Sequence, residues 1–212
     1  MVSDDRAQAF TLEGFIAAVL VLSALLFALQ SIVITPSTGG EIGGQTERSL
    51  QQQAGDVLAV NAEGGNLSRV VRYWDDGCGA VNYHNASAVG YDSASNITDG
   101  KYALGTLLNE TFEDRGRPFN VEVEYQTNSS KPGWQAGQTR NTTIFRQGAE
   151  RETSITASYT VVLYDDQQLT APPAGGTTLG EAEECPGEAF AIPDASPSSE
   201  VYNVVTVRVI LL

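Results

Sequence analysis

Chemistry-bearing residues are few in this chain, and their spacing limits what they can do. His84 is the only histidine and stands between Tyr83 and Asn85 in a polar stretch, so a general base or metal ligand there has no partner close in sequence. Cys78 and Cys185 are the only cysteines and lie 107 positions apart, which excludes a zinc knuckle built on closely spaced pairs. If bridged, they remove about 4–5 kcal/mol of unfolded-chain freedom in the entropy account of cross-links; the alternative is a pair of free thiols in a reducing compartment. The bridge is the expectation. Asp75-Asp76 and Asp165-Asp166 present adjacent carboxylate oxygens in turns, the donor type a hard cation takes, yet neither pair has the spacing of a calcium loop. Gly77-Cys78-Gly79 and the Gly-Gly pairs lack the pattern of a phosphate loop. No nucleophile can be paired with a base. The chain therefore reads as no enzyme, with no cofactor and no metal.

A second set of residues carries modification chemistry. Asn66, Asn85, Asn96, Asn109, Asn128 and Asn141 each begin an Asn-x-Ser/Thr triplet. That density exceeds chance for this composition and points to N-glycosylation on an extracytoplasmic face, the same direction as the cysteines. With 26 acidic against 12 basic residues the net charge is −14. Nucleic acid and anionic lipid surfaces would repel such a chain, so neither is expected as an electrostatic partner. Many carboxylates with only Lys101 and Lys131 as lysines also suit high salt, where screening removes self-repulsion.

These residues must be positioned by the elements around them, beginning with the apolar run from Phe10 to Ile34. It holds no Lys or Arg and a single carboxylate, Glu13. A helix of that length, at about 1.5 Å per residue, exceeds the roughly 30 Å of a bilayer core, so a membrane-spanning helix over 10–34 is expected. Membrane lipid is then a partner. A carboxylate just inside an apolar helix is costly and is usually kept for a role; otherwise it rests at headgroup level, where negative charge suits a helix start. Gly14, Ala17, Ala18, Ser23, Ala24 and Ala28 are small enough to let helices approach closely.

The polar leader Met1–Ala9, the small Ala9, the aromatic Phe10, and Thr11-Leu12-Glu13 before the apolar run together resemble the start of a type IV prepilin. With the acidic, sequon-rich remainder, the chain is similar to pilin-like membrane proteins of halophilic archaea. The resemblance is firm over the first 35 residues and architectural beyond them. It implies that a prepilin-type peptidase cuts between Ala9 and Phe10. It also implies that Glu13 neutralises the amine freed at Phe10 of a neighbouring subunit. The chain would then be a pilin-like subunit of a cell-surface filament or pseudopilus, with other pilin-like subunits as partners through the N-terminal helix. A non-polymerising, single-pass surface module contacting the envelope is the alternative.

The organisation expected is a leader over 1–9, the transmembrane and assembly helix over 10–34, a flexible joint over 35–49 and an extracytoplasmic domain over 50–212. Pro36 and the glycines at 39, 40, 43 and 44 oppose helix across the joint. Helical stripes follow at Leu50, Ala54, Val57 and Leu58, at Leu67, Val70, Val71 and Trp74, and at Leu104, Leu107, Leu108 and Phe112. Asn66 is placed to cap the second helix. Phe119, Val121, Val123 and Tyr125 alternate with polar residues, as do Ile155 through Leu163, and Ile144–Gln147 is a short strand. Tyr202–Leu211 is apolar on nearly both faces and reads as a central strand. Residues 165–200 are rich in Pro, Gly and acid and read as a surface excursion. The fold class expected is thus α+β: a long N-terminal transmembrane helix, then two or three helices packed on a mainly antiparallel sheet of three to four strands.

Overall fold

A computed structural model describes residues 16–23, 41–74, 83–92, 103–128, 133–172, 176–184 and 190–212. The chain divides into two compact units, Met1–Gly43 and Gly44–Leu212. In the first, the described part is a helix, α1, over residues 16–23, with every side chain exposed. Among the described residues no helix is long and apolar enough to cross a membrane. The expectation of a long transmembrane helix over 10–34 is corrected accordingly: the run is apolar in composition, but among the described residues no helix meets the length and apolarity that spanning requires.

The second unit begins in α2, Glu41–Glu63, which starts before the stripe at Leu50 and runs through residues assigned above to a flexible joint. Its run of Gln, Glu, Arg, Ala and Leu favours helix strongly enough to carry Gly44 and Gly55 at about 1 kcal/mol each. Ala54, Val57, Leu58 and Asn61 fall on one stripe and are buried. A turn at Gly64-Gly65 leads into α3, Asn66–Val71. The cap is Gly65 in the left-handed region, φ 68°, with no side-chain cap bond, so Asn66 is the first helical residue instead of the cap. Only Gly takes that φ without strain. α4, Ala103–Thr111, buries Leu104 and Leu108; it is followed by a 3-10 turn, Glu113–Arg115, that ends at the left-handed Gly116.

Four strands follow: β1 Phe119–Gln126, β2 Thr139–Arg146, β3 Ile155–Tyr164 and β4 Val201–Leu211. They form one antiparallel sheet in the order β2-β1-β4-β3. The fold is therefore α+β with a four-stranded antiparallel sheet. β4 is central, paired with β1 from Phe119↔Leu211 to Glu124↔Thr206 and with β3 from Ile155↔Leu211 to Tyr164↔Val201. Its Val205, Val207, Val209 and Leu211 join Val121 and Val123 of β1 and the stripes of α2, α3 and α4 in one core. Phe112, Phe119 and Phe145 meet edge-to-face within it, at centroid distances of 6.5 and 5.9 Å.

The stretch 165–200 departs from a surface excursion. Leu169, Ala171, Leu179, Ala182, Phe190 and Ile192 are all buried. A short helix, α5, Leu179–Glu183, is held by a capping box between Thr178 and Glu181. The returning segment is locked by Asn203, itself 1% exposed: its Nδ2 donates to Gln126 O (2.9 Å) and Pro193 O (2.8 Å), and its Oδ1 accepts from Gln126 N–H (3.3 Å). The Tyr202 hydroxyl donates to Ile192 O at 2.8 Å beside it.

Replacing Asn203 with Ala removes the side-chain partner of three backbone groups, Gln126 N–H, Gln126 O and the buried Pro193 O, so urea unfolding is expected to lose about 2–4 kcal/mol. Thr160→Ala on exposed β3 should cost under about 0.5 kcal/mol by the same measurement.

Candidate functional site

The residues that the sequence marks for processing, assembly and cross-linking, Ala9, Phe10, Glu13, Cys78 and Cys185, lie outside the described residues, as does the sequon at Asn96. The other five sequons fall in contrasting settings. Asn85 is exposed at a turn with φ 58°, a backbone that Asn tolerates better than most side chains, and its Nδ2 lies 2.9 Å from His84 Nε2. Asn141 is exposed on β2, its Nδ2 donating to Glu122 Oε2 at 2.9 Å. Asn66 and Asn109 lie within helices and are half-buried. Asn128 is half-buried and donates to Asp194 O at 2.6 Å.

Two of these sequons meet at one place. Residues 83–91 turn against β2: Tyr91 N–H donates to Ile144 O (2.8 Å) and Arg146 N–H to Tyr91 O (2.7 Å). Between this turn and the strand is a cleft of about 210 Å³ lined by Trp74, Tyr83, Ser87, Ala88, Gly90, Asn141, Thr142 and Thr143. Ser87 and Thr143 are the hydroxyl residues of the Asn85 and Asn141 triplets. Gly90 is required at the rim, since a Cβ there would come within 2.8 Å of Ile144 O and its φ is 94°. The wall is aromatic, with Trp74 and Tyr83 edge-to-face at 4.7 Å. Trp74 was legible as a core candidate on its helical stripe, whereas Tyr83 was read only as part of a polar stretch around His84.

Tyr83 is 2% exposed and its hydroxyl has no hydrogen-bond partner. Burial pushes its phenol well above the ordinary tyrosine range, and the neighbouring Tyr91 and Tyr125 add to the effect, so the group is a neutral, unsatisfied donor. His84 packs edge-on against Tyr73 at 5.5 Å. Among the described lining residues of the cleft the polar side chains are hydroxyls and one amide.

The other polar concentration lies past the end of β3, where Tyr164, Asp165, Asp166, Gln167 and Glu200 line an open cleft of about 510 Å³. Asp165 Oδ1 is buried without a hydrogen-bond partner. Burial also raises the Asp194 carboxyl above its ordinary value, opposed by a hydrogen bond from Ser196 N–H. Among the described residues, no group of three or more His, Cys, Asp or Glu side chains is placed to hold a metal ion.

Residues 6–211 match the family described as "Family of unknown function (DUF7288)". No curated protein and no solved structure matches the chain.

Removing the orphaned hydroxyl by Tyr83→Phe is expected to leave stability unchanged or raise it by about 1 kcal/mol in thermal or urea unfolding, because an unpaired buried donor is lost without loss of packing. A destabilisation beyond about 1 kcal/mol would show that the hydroxyl is satisfied in solution.

Proposed function

We propose that this chain, which belongs to the DUF7288 family, is a pilin-like surface subunit: a head on the extracytoplasmic side, carried by an apolar N-terminal segment through which copies associate. The observation that carries the reading is the order of parts at the N-terminus. A polar leader ends in a small residue, an aromatic residue and an early carboxylate follow, and an apolar run then continues to Ile34. A cut between Ala9 and Phe10 leaves the apolar run on the mature chain and frees an amine beside it. Glu13 then has a cation to meet in apolar surroundings, where an unpaired carboxylate would be costly.

Three features of the head support the same reading. It contains one α+β core of its own, so it can be carried by an associating segment without depending on it. Its exposed Asn85 and Asn141 suit glycosylation on an outward surface. Its chemistry is that of a contact surface, and the acidic balance keeps it dispersed in the salt-rich exterior that the composition suits.

Intact mass of the native chain tests processing. The expected start is Phe10, with the mass lower by two hydrogens where Cys78 and Cys185 are bridged; a start at Met1 or Val2 would overturn the processing step. Glu13→Gln is then expected to reduce assembled material about tenfold or more while total chain stays constant, since a factor of ten needs only about 1.4 kcal/mol and an ion pair broken in apolar surroundings costs more. Undiminished assembly would remove the role given to Glu13.

A further inference from the structure

The cleft between the 83–91 turn and β2 combines a cavity with an unsatisfied buried group. Tyr83 lines it, and among the described lining residues the Tyr83 hydroxyl is the polar side-chain atom buried with no hydrogen-bond partner. A polar group left so costs about 1–3 kcal/mol, which an occupant carrying a hydrogen-bond acceptor recovers.

The other lining side chains define that occupant. Ser87 is committed to its own turn, its Oγ donating to Gly90 O at 2.6 Å. Thr142 and Thr143 are half-buried and present hydroxyls, which both donate and accept. Asn141 commits its Nδ2 to Glu122 Oε2 at 2.9 Å and keeps an amide oxygen as acceptor. Trp74 and Ala88 make the apolar part of the wall. No Asp, Glu, Lys, Arg or His stands among the described lining residues. Nothing in that lining therefore neutralises a phosphate, a carboxylate or an ammonium group, and desolvating a charge without a counter-charge is costly. The Glu122 carboxylate, held by Asn141, adds repulsion against an anion. Size narrows the class further. At about 210 Å³ the cleft falls below the roughly 300–1,000 Å³ of sites for drug-sized ligands, and it suits a molecule of one ring.

We infer that the cleft binds one neutral sugar unit, with the Tyr83 hydroxyl donating to a sugar oxygen and Thr142, Thr143 and Asn141 meeting its other hydroxyls. Sugar hydroxyls donate and accept as the threonines do, the ring carries no charge, and its C–H groups suit Trp74 and Ala88. Two sources supply such a unit: a glycan linked to this chain at Asn85 on the turn or Asn141 on β2, or a saccharide from outside. The site stands on the cleft and not on the assembly of copies; only the first source draws on the glycosylation read from the sequons.

The test titrates the isotope-labelled full chain in detergent micelles, made with and without its glycans, with methyl glucoside, methyl mannoside and N-acetylglucosamine, following the amide NMR signals of Ser87, Gly90 and Thr142. In the glycan-free chain at least one of the three sugars is expected to shift these signals saturably in the millimolar range. Tyr83→Phe, which leaves packing intact, and Thr142→Val, which leaves the Asn141 sequon intact, are each expected to weaken that binding about fivefold, the worth of one hydrogen bond. Glucuronate and glucose 6-phosphate are expected not to bind. In the glycosylated chain, signals already at the bound position and indifferent to added sugar identify the chain's own glycan as the occupant, and signals that still respond identify an outside saccharide; both uphold the site. The inference is overturned by a glycan-free chain that gives no saturable shift with any of the three sugars, since water alone then meets Tyr83. It is equally overturned by Tyr83→Phe and Thr142→Val chains that bind as tightly as the wild type, or by charged sugars that bind as tightly as neutral ones. None of these results bears on a start at Phe10 or on assembly, so the proposed function stands or falls separately.

Discussion

The head depends on the last strand being paired on both sides. β4 takes hydrogen bonds from β1 and from β3 along most of its length, and its inward valines meet the helices. A strand so placed has almost no exposed apolar surface except at Val204, and its two neighbours hold their register against it rather than against each other. The order of the chain makes this demanding, because β1 and β3 must wait for residues that come last. Non-local pairing of this kind is slow to form, since loop closure precedes the contacts that reward it. The local elements, α2, α3 and α4, offer apolar stripes that can collapse earlier and give β4 a surface to dock on.

Two buried asparagines fix what apolar packing leaves loose. Asn203 joins β4, the end of β1 and the segment at Pro193; Asn120 does the same at the other end of β1, with Nδ2 on Gly148 O at 3.0 Å and Oδ1 accepting from Gln147 N–H, also at 3.0 Å. Apolar contacts are non-directional, so a sheet held by them alone can slip; a fully satisfied buried amide has one geometry. Glu124 and Arg208 pair across β1 and β4 on the open face, where solvent limits the gain. Specific position thus comes from the interior amides and bulk stability from the valines.

The same division explains what could be read from the chain. Alternation at Phe119, Val121, Val123 and Tyr125, the two-faced apolarity of Tyr202–Leu211 and the three helical stripes are local signals of burial, and each marks a real element. β2 extends back to Thr139, further than Ile144–Gln147, because its polar half is held by register against β1 and not by hydrophobicity of its own. Leu169, Leu179, Phe190 and Ile192 have no period, so a stretch rich in Pro, Gly and acid hid the fact that it lines the core. Length and apolarity over 10–34 pointed to a spanning helix, whereas among the described residues no helix is long and apolar enough to be one. The cleft beside Tyr83 joins residues far apart in sequence, and only the two sequons on its rim were visible beforehand.

Taken together, the chain is a polar, acidic head whose interior is complete, attached to an apolar segment whose first residues look made for processing. The proposal that unites them is that copies of this chain associate in a surface assembly. The most direct measurement is to shear cells carrying the tagged chain and size the released material under native conditions. The account predicts that the chain is recovered in large, multi-copy particles beginning at Phe10. Chain that stays wholly with the cells, or is released only as single copies, would contradict it.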